Sequence, residues 1–167
     1  MLVEGYFSSL NLWYIKERVP ASFEKYLILF SSALLLLKKK INMNNLIIDA
    51  AMDKIFFKIM INNKSYTSDY LNSRENFDKF NMLLFSFLNK NNVKISNINN
   101  VFVNQGPGKF SSIRISIATA KALRLTNNID LYGFNSSDVL GKNYNNIIDL
   151  YKRGMLIKNL IKPQYSS

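Results

Sequence analysis

The sequence predicts an α/β domain in which a mixed β-sheet carries helices on its faces. Two observations lead to this prediction. Short apolar runs typical of buried strands alternate with longer segments whose apolar residues recur at helical spacing. A Gly-Pro-Gly turn at 106–108 then separates one such strand from one such helix. Of the 167 residues 48% are hydrophobic, which is enough to bury the core of one domain.

The first part of this domain is predicted to contain three strands and a helix. The runs at 46–48 and 55–61 have the composition of buried strands, and 65–71 is predicted to be a third, more exposed strand. Residues 75–90 are predicted to form an amphipathic helix. Its apolar stripe consists of Phe77, Phe80, Leu83, Leu84, Phe87 and Leu88. For so small a domain this stripe is broad, which leaves open whether it is core alone or core and interface.

The second part continues with four predicted elements: a strand at 100–103, a helix at 111–125, a strand at 131–134 and a helix at 147–160. Ser111 or Ser112 is expected to cap free N–H groups at the start of its helix. Three strands, helix, strand, helix and strand is an order that suits a ribonuclease H-like lobe.

The composition excludes several kinds of chemistry. The chain contains neither cysteine nor histidine. It therefore has no disulfide framework, no His/Cys zinc site, no Ser-His-Asp or Cys-His nucleophile and no imidazole general base. Any catalysis would depend on carboxylates, hydroxyls, Lys, Arg or backbone dipoles.

The formal net charge is +11, from 22 basic and 11 acidic residues. Such an excess attracts phosphate polymers and anionic membrane surfaces. The charge is nevertheless spread along the chain and forms no recognisable RNA-binding motif. Two interpretations stay open, a nucleic-acid surface and a general bias of composition towards Asn, Lys, Ile, Phe and Tyr.

The first 42 residues are predicted to form an extension outside the domain, which covers residues 43–167. An apolar run at 26–37 is followed directly by three lysines at 38–40. Crossing a bilayer takes roughly 20 apolar residues, so no membrane span is predicted. A secretory signal would place its positive charges before the run. An interfacial anchor and an extension upstream of a natural start at Met43 both stay open.

The segment at 104–114, NQGPGKFSSIR, carries the most informative motif. Proline fixes φ near −65° while glycine adopts angles barred to other residues, so Gly-Pro-Gly forces a tight turn. Between a strand and a helix N-terminus such a turn can hold an anion, or it can be a plain structural corner. It is not a Walker A loop, because no Ser or Thr follows Lys109. The candidate anion contacts are Gly106, Pro107, Gly108 and Arg114.

In this context the segment resembles the TsaB (YeaZ) family, whose hallmark is a strand, a Gly-Pro-Gly-Ser-Phe-Thr-Gly-Leu-Arg-like run and an Ala-rich helix. The matching residues are Gly106, Pro107, Gly108, Phe110 and Arg114, and 118–123 resembles the helix. Three further stretches are similar to the family's opening strand, its Gly-Val-Ser-Ser-Leu stretch and its closing Pro-x-Tyr: 45–49, 133–137 and 163–165.

The resemblance implies a cytoplasmic member of the actin-like ATPase superfamily that has lost its own activity. TsaB-type proteins pair with the enzyme TsaD and, with the ATPase TsaE, install threonylcarbamoyl on the adenosine beside certain tRNA anticodons. A heterodimer with a TsaD-type enzyme is therefore expected, and a homodimer without that partner stays open. No catalytic residue, cofactor or metal is expected on this chain, because ATP and metal are expected on the partner proteins.

The same resemblance implies that the helices at 75–90 and 111–125 bind the partner. The predicted partner-binding residues are Phe77, Phe80, Leu84, Phe87, Ile113 and Ile117.

The sequence also departs from the family. Ala50, Ala51 and Met52 follow Asp49, where relatives carry hydroxyl groups that help to hold phosphate in active members. Asp49 is therefore either a remnant of a metal–nucleotide site or a strand end that bonds nearby N–H groups. About 30 residues follow Ser137, so the second lobe is expected to be largely missing.

Two other functions stay open. An ATPase or threonylcarbamoyl-transfer enzyme of the TsaD type is disfavoured, because such relatives bind metal through a His-x-x-x-His pair and this chain has no histidine. The same absence gives no support to the glycoprotease label used for the wider family. A basic RNA-binding module would show tRNA affinity that falls steeply with added salt.

Overall fold

A computed structural model describes Tyr26 and residues 29–32, 43–61, 64–158 and 160–165. It divides the chain into two compact units, Met1–Ile41 and Asn42–Ser167. In the first unit, Tyr26 and residues 29–32 are helical and exposed. The rest of the predicted apolar run and the three lysines lie outside the described residues, so the anchor and the extension stay predictions.

The second unit is built on a six-stranded sheet with the order β3-β2-β1-β4-β5-β6. The strands are β1 Asn45–Asp49, β2 Lys54–Ile61, β3 Lys64–Leu71, β4 Asn100–Asn104, β5 Asp130–Phe134 and β6 Ile157–Lys158. The pairs β1–β4 and β4–β5 are parallel, and the other pairs are antiparallel. The predicted mixed sheet is therefore confirmed.

Four α-helices are connected to this sheet: α1 Arg74–Asp78, α2 Phe80–Lys90, α3 Phe110–Asn127 and α4 Asn145–Lys152. Short 3₁₀ helices cover Ile95–Asn97 and Ser136–Lys142. The predicted order of three strands, helix, strand, helix and strand is confirmed. Among the described residues, no helix combines the length and the apolar character that crossing a bilayer requires.

The core lies on both faces of the sheet, because successive side chains of a strand point to opposite faces. Leu46 and Ile48 of β1 join the larger cluster, which includes the buried sides of α2 and α3. Ile47 points to the other face and joins a smaller cluster with Phe102 and with Ile147 of α4. The central strands are thus covered on both sides, which explains why their sequences are continuous apolar runs.

Two helix predictions were wrong in their extent. The helix predicted at 75–90 is broken at Lys79, whose φ and ψ of −96° and 9° leave the helical region. Its apolar spacing continues across the break, which is why the periodicity did not reveal it. The helix predicted at 147–160 ends at Lys152. Gly154 follows with φ +71°, a conformation that favours glycine, and the chain returns as β6 against β5.

The predicted serine cap of α3 was also wrong. The residue before the helix is Lys109, which makes no side-chain capping bond. The Ser112 hydroxyl instead donates to Asn72 Oδ1 at 2.7 Å, and this bond connects the start of α3 to the segment between β3 and α1.

Candidate functional site

The ends of three neighbouring strands bring polar side chains together. Because β1, β4 and β5 are parallel, Asp49, Asn104 and the segment after Phe134 meet at one edge of the sheet. Asn104 Nδ2 donates to Asp49 Oδ1 at 3.0 Å and to Ser136 Oγ at 3.2 Å. These three side chains form the centre of the candidate site.

The Gly-Pro-Gly loop after β4 is held by hydrogen bonds to this centre. The Gly106 N–H donates to Asn104 Oδ1 at 2.9 Å, and the Ser136 hydroxyl donates to the Pro107 carbonyl at 2.9 Å. The Lys109 N–H donates to the Ala51 carbonyl at 2.8 Å. The N–H groups of Gly106 and Lys109 thus donate within the chain. The predicted anion contact of Gly106, Pro107, Gly108 and Arg114 stays a prediction.

Both glycines of the loop are required by close backbone neighbours. Gly106 has φ +113°, and a Cβ atom there would overlap the carbonyl group of Gln164. A Cβ atom on Gly108 would overlap the carbonyl group of Ala51. The loop is therefore packed between the segment after β1 and the C-terminal segment, which explains the glycines without any ligand.

The carboxylate of Asp49 is surrounded by neutral donors. Its Oδ1 accepts from the Ala51 N–H and from Asn104, each at 3.0 Å, and its Oδ2 accepts from the Tyr144 hydroxyl at 3.0 Å. Burial raises the pKa of Asp49 above its ordinary value and outweighs the three hydrogen bonds, which act to lower it. Burial and the neighbouring Asp49 carboxylate raise the pKa of Tyr144. The interpretation that Asp49 ends a strand and bonds a nearby N–H is confirmed.

These groups offer few contacts to a bound nucleotide or metal ion. Asp49 Oδ1 accepts two hydrogen bonds from neutral protein groups and Oδ2 accepts one, so at most one lone pair, on Oδ2, remains for a metal ion. Ala50 and Ala51 offer no hydroxyl to a phosphate. Within the described ranges, no three His, Cys, Asp or Glu side chains are grouped so that they could hold a metal ion.

A cleft of ≈720 Å³ opens beside this centre. Its wall includes Tyr144, whose ring stacks on Phe56 with centroids 4.1 Å apart and planes 10° apart. Lys58 also lines it, donates to Asn145 Oδ1 at 2.8 Å, and has its pKa lowered by burial. Another wall carries the Lys54–Asp69 ion pair. The cleft offers amides, hydroxyls and charged groups for hydrogen bonding, but its chemistry includes no imidazole or thiol.

The predicted partner-binding residues lie mostly in the core. Phe77 is half-buried. Five are no more than 4% exposed: Phe80, Leu84, Phe87, Ile113 and Ile117. Side chains this deeply buried stabilise the fold but cannot touch a partner that docks on it. Whether α2 and α3 bind a partner stays a prediction, and other side chains would make the contact.

The outer face of α2 carries exposed apolar side chains. Met82 is 70% exposed and Phe85 is 42% exposed, at helical spacing i, i+3. Their exposed neighbours on the helix are Asn81, Ser86 and Asn89. No charged residue occurs between Phe80 and Asn89. The sequence already indicated these exposed apolar residues, because Met82 and Phe85 lie outside the predicted apolar stripe.

Comparisons with known proteins place this fold. A family model described as TsaD, tRNA N6-adenosine threonylcarbamoyltransferase, matches residues 54–147. The structure of YeaZ from Pseudomonas aeruginosa is 14% identical, with a TM-score of 0.56 over 67% of this chain and 50% of that chain. A second structure, of an uncharacterized Pseudomonas aeruginosa protein with similarity to peptidase YEAZ, gives the same values.

The likeness confirms the predicted ribonuclease H-like fold of the actin-like ATPase type and the resemblance to YeaZ in fold. The chain spans about half the length of these two proteins. A search of curated proteins finds no match.

Proposed function

The chain belongs to the TsaD (tRNA N6-adenosine threonylcarbamoyltransferase) family, and from this premise we propose that it is a non-catalytic, TsaB-like subunit. In this proposal it binds a TsaD-type enzyme and supports the transfer of threonylcarbamoyl to tRNA adenosine. A TsaE-type ATPase and tRNA join through the complex, and ATP and metal are bound by the partner proteins.

The observation that carries the proposal is the outer face of α2. Met82 and Phe85 leave apolar surface in water, and no charged residue occurs between Phe80 and Asn89. Interface cores are depleted in charged residues and enriched in Met and aromatic residues. An exposed helix face of this kind suits docking against a helix of a second protein.

The site supports the non-catalytic part of the proposal. Asp49 connects β1 to Asn104 of β4 and to Tyr144, the residue before α4, so that its carboxylate holds elements together. The chain also has no histidine with which to build the metal pair that the TsaD resemblance implies for active relatives.

A second candidate, an enzyme of the TsaD type, is favoured by the cleft itself. Asp49, Asn104 and Ser136 line that cleft at the ends of parallel strands, where α/β proteins bind their ligands. If the chain were the enzyme, it would bind a nucleotide by itself, and the loss of the Asp49 carboxylate would abolish transfer.

Reconstituted transfer to tRNA tests the proposal. The full 167-residue chain is combined with the TsaD-type and TsaE-type proteins of the same organism, and each protein is omitted in turn. We expect no product from the chain without the TsaD-type enzyme, and a large gain when the two are combined. Asp49→Asn is expected to keep that gain. Nucleotide binding by the chain alone in a calorimeter, together with loss of transfer in Asp49→Asn, would instead identify the chain as an enzyme.

A further inference from the structure

The outer face of α3 carries positive charge without any acidic residue. Over its 18 residues the helix contains Arg114, Lys121 and Arg124 and neither Asp nor Glu. Arg114 and Lys121 are exposed, and Arg124 is half-exposed. At about 1.5 Å per residue, these three cations extend over roughly 15 Å of the helix.

These cations point away from α2. The Thr119 hydroxyl of α3 donates to Asn81 Oδ1 of α2 at 2.7 Å, which fixes the side of α3 that faces α2. At about 100° per residue, Arg114, Lys121 and Arg124 lie roughly 140–160° around the helix from Thr119. The basic face of α3 and the uncharged face of α2 are therefore separate surfaces.

The cations of α3 are not neutralised by neighbours. The described residues contain ion pairs that engage Lys54, Lys79, Lys109, Lys152 and Lys158. In that part of the chain, no ion pair involves Arg114, Lys121 or Arg124. Their three charges are part of the formal net charge of +11.

An aromatic cluster lies at the N-terminal end of the same face. The Arg114 guanidinium lies over the Phe110 ring, 4.9 Å from its centroid. The Phe110 and Tyr165 rings have centroids 4.5 Å apart, and the two side chains are 52% and 43% exposed. Planar π-faces and a guanidinium plane are thus held together in water by contacts within the chain.

We propose that this face of α3 binds a single-stranded nucleic acid. Arg114, Lys121 and Arg124 bind phosphates, and an unstacked base lies on the exposed rings of Phe110 and Tyr165. Single strands are bound by positive surfaces combined with aromatic or guanidinium planes on which bases stack, and this face has both. An acidic protein would match the charges but would not use the exposed ring planes. The site goes beyond the proposed subunit function, because it lies on a different helix face and needs no partner enzyme.

The test measures binding of the full chain, alone, to fluorescent oligo-U and oligo-dT of about 12 nucleotides, by anisotropy. With three cations on phosphates, the slope of log affinity against log salt is expected to be about −2. Tighter binding of oligo-U than of oligo-dT would identify RNA as the ligand, and equal binding would identify single strands of either kind. No binding by the parent chain at about 50 mM salt would overturn the proposal.

Matched variants locate the site. Arg114→Gln with Lys121→Gln is expected to weaken binding about tenfold or more and to flatten the salt slope by about 1.4. Lys90→Gln with Lys94→Gln removes the same charge from exposed positions elsewhere and is expected to change binding little. Equal losses of affinity in the two double variants would overturn the assignment, because binding would then depend on the overall positive charge and not on this face.

Phe110→Leu tests the stacking. It is expected to weaken binding about tenfold while leaving the salt slope unchanged, since the phosphate contacts remain. Circular dichroism checks that each variant is folded. If the Arg114 and Lys121 changes instead weaken only the complex with a TsaD-type enzyme, the face binds an acidic protein surface and the proposal fails. Because the oligonucleotide test omits that enzyme, its failure is independent of any failure of the subunit function.

Discussion

Replacing Gly106 by alanine tests the packing of the Gly-Pro-Gly loop. Two costs combine at this position. An alanine at φ +113° is strained by about 1–2 kcal/mol. Its Cβ would also overlap the backbone carbonyl of Gln164, and overpacking of this kind costs about 1–3 kcal/mol. The sum is about 2–5 kcal/mol of unfolding free energy.

Gly154 supplies a matched control. Its φ is +71°, but no atom lies within 4 Å of the Cβ that alanine would add. Gly154→Ala therefore adds the backbone strain without the overlap, at about 1–2 kcal/mol. Gly108→Ala adds the overlap, here with the Ala51 carbonyl, without the backbone strain of a positive φ.

Thermal unfolding of the full chain, followed by circular dichroism, distinguishes the three variants. At about 2–4 °C per kcal/mol for a chain of this size, Gly106→Ala should lower Tm by roughly 4–20 °C. Gly154→Ala should lower it by roughly 2–8 °C. Equal decreases in Tm for Gly106→Ala and Gly154→Ala would refute the reasoning, because the C-terminal segment would then not be packed on the loop.

The remaining predictions concern α2 and Asp49. Leu84 is fully buried, so Leu84→Ala should lower the free energy of unfolding by about 2–5 kcal/mol. Phe85 lies on the outer face, so Phe85→Ala should change the free energy of unfolding by no more than about 1 kcal/mol. Urea titrations measure both values. Because the fold raises the pKa of Asp49 above 3.8, it favours the protonated carboxyl, and the stability that this group contributes is lost as pH rises through the raised pKa. Asp49→Asn should therefore gain stability relative to the parent as pH rises from about 4 to 7, and a relative loss would contradict this sign. Tyr144→Phe removes the donor to Asp49 Oδ2 and should destabilise the fold by about 1–3 kcal/mol, with no change expected if this hydrogen bond is absent in solution.

The central strands β1, β4 and β5 could be predicted from the sequence because their side chains are buried on both faces. The runs at 46–48, 100–103 and 131–134 each fall inside an observed strand and miss at most two of its residues. Local composition determines such strands, because few segments combine this length with this apolar content. The Gly-Pro-Gly turn could also be predicted from local sequence, because the conformations of proline and glycine determine it.

The contacts that form the candidate site could not be read in this way. Tyr144 bonds Asp49 across 95 residues, and Ser136 reaches Asn104 across 32. No periodicity connects such positions, since only the order and direction of the strands bring them together. The sequence identified Asp49 and the loop, but gave no reason to select Tyr144.

The burial of most of the predicted partner-binding residues has a different cause. Apolar periodicity finds the side of a helix that packs on its own sheet, and this is the side to which Phe80 and Leu84 belong. An interface uses what that packing leaves exposed, and in the proposed function these side chains are Met82 and Phe85. Subtracting the core stripe from the apolar residues of the helix would have found them.

Co-purification of the full chain with the TsaD-type enzyme of the same organism tests the central claim most directly. Met82→Asp and Met155→Asp form a matched pair, because the two methionines are 70% and 64% exposed and only Met82 lies on α2. The proposed subunit role predicts a stable complex with the parent chain and with Met155→Asp, and its loss with Met82→Asp. A folded parent chain that forms no complex, or a complex that Met82→Asp leaves intact, would contradict docking on the outer face of α2.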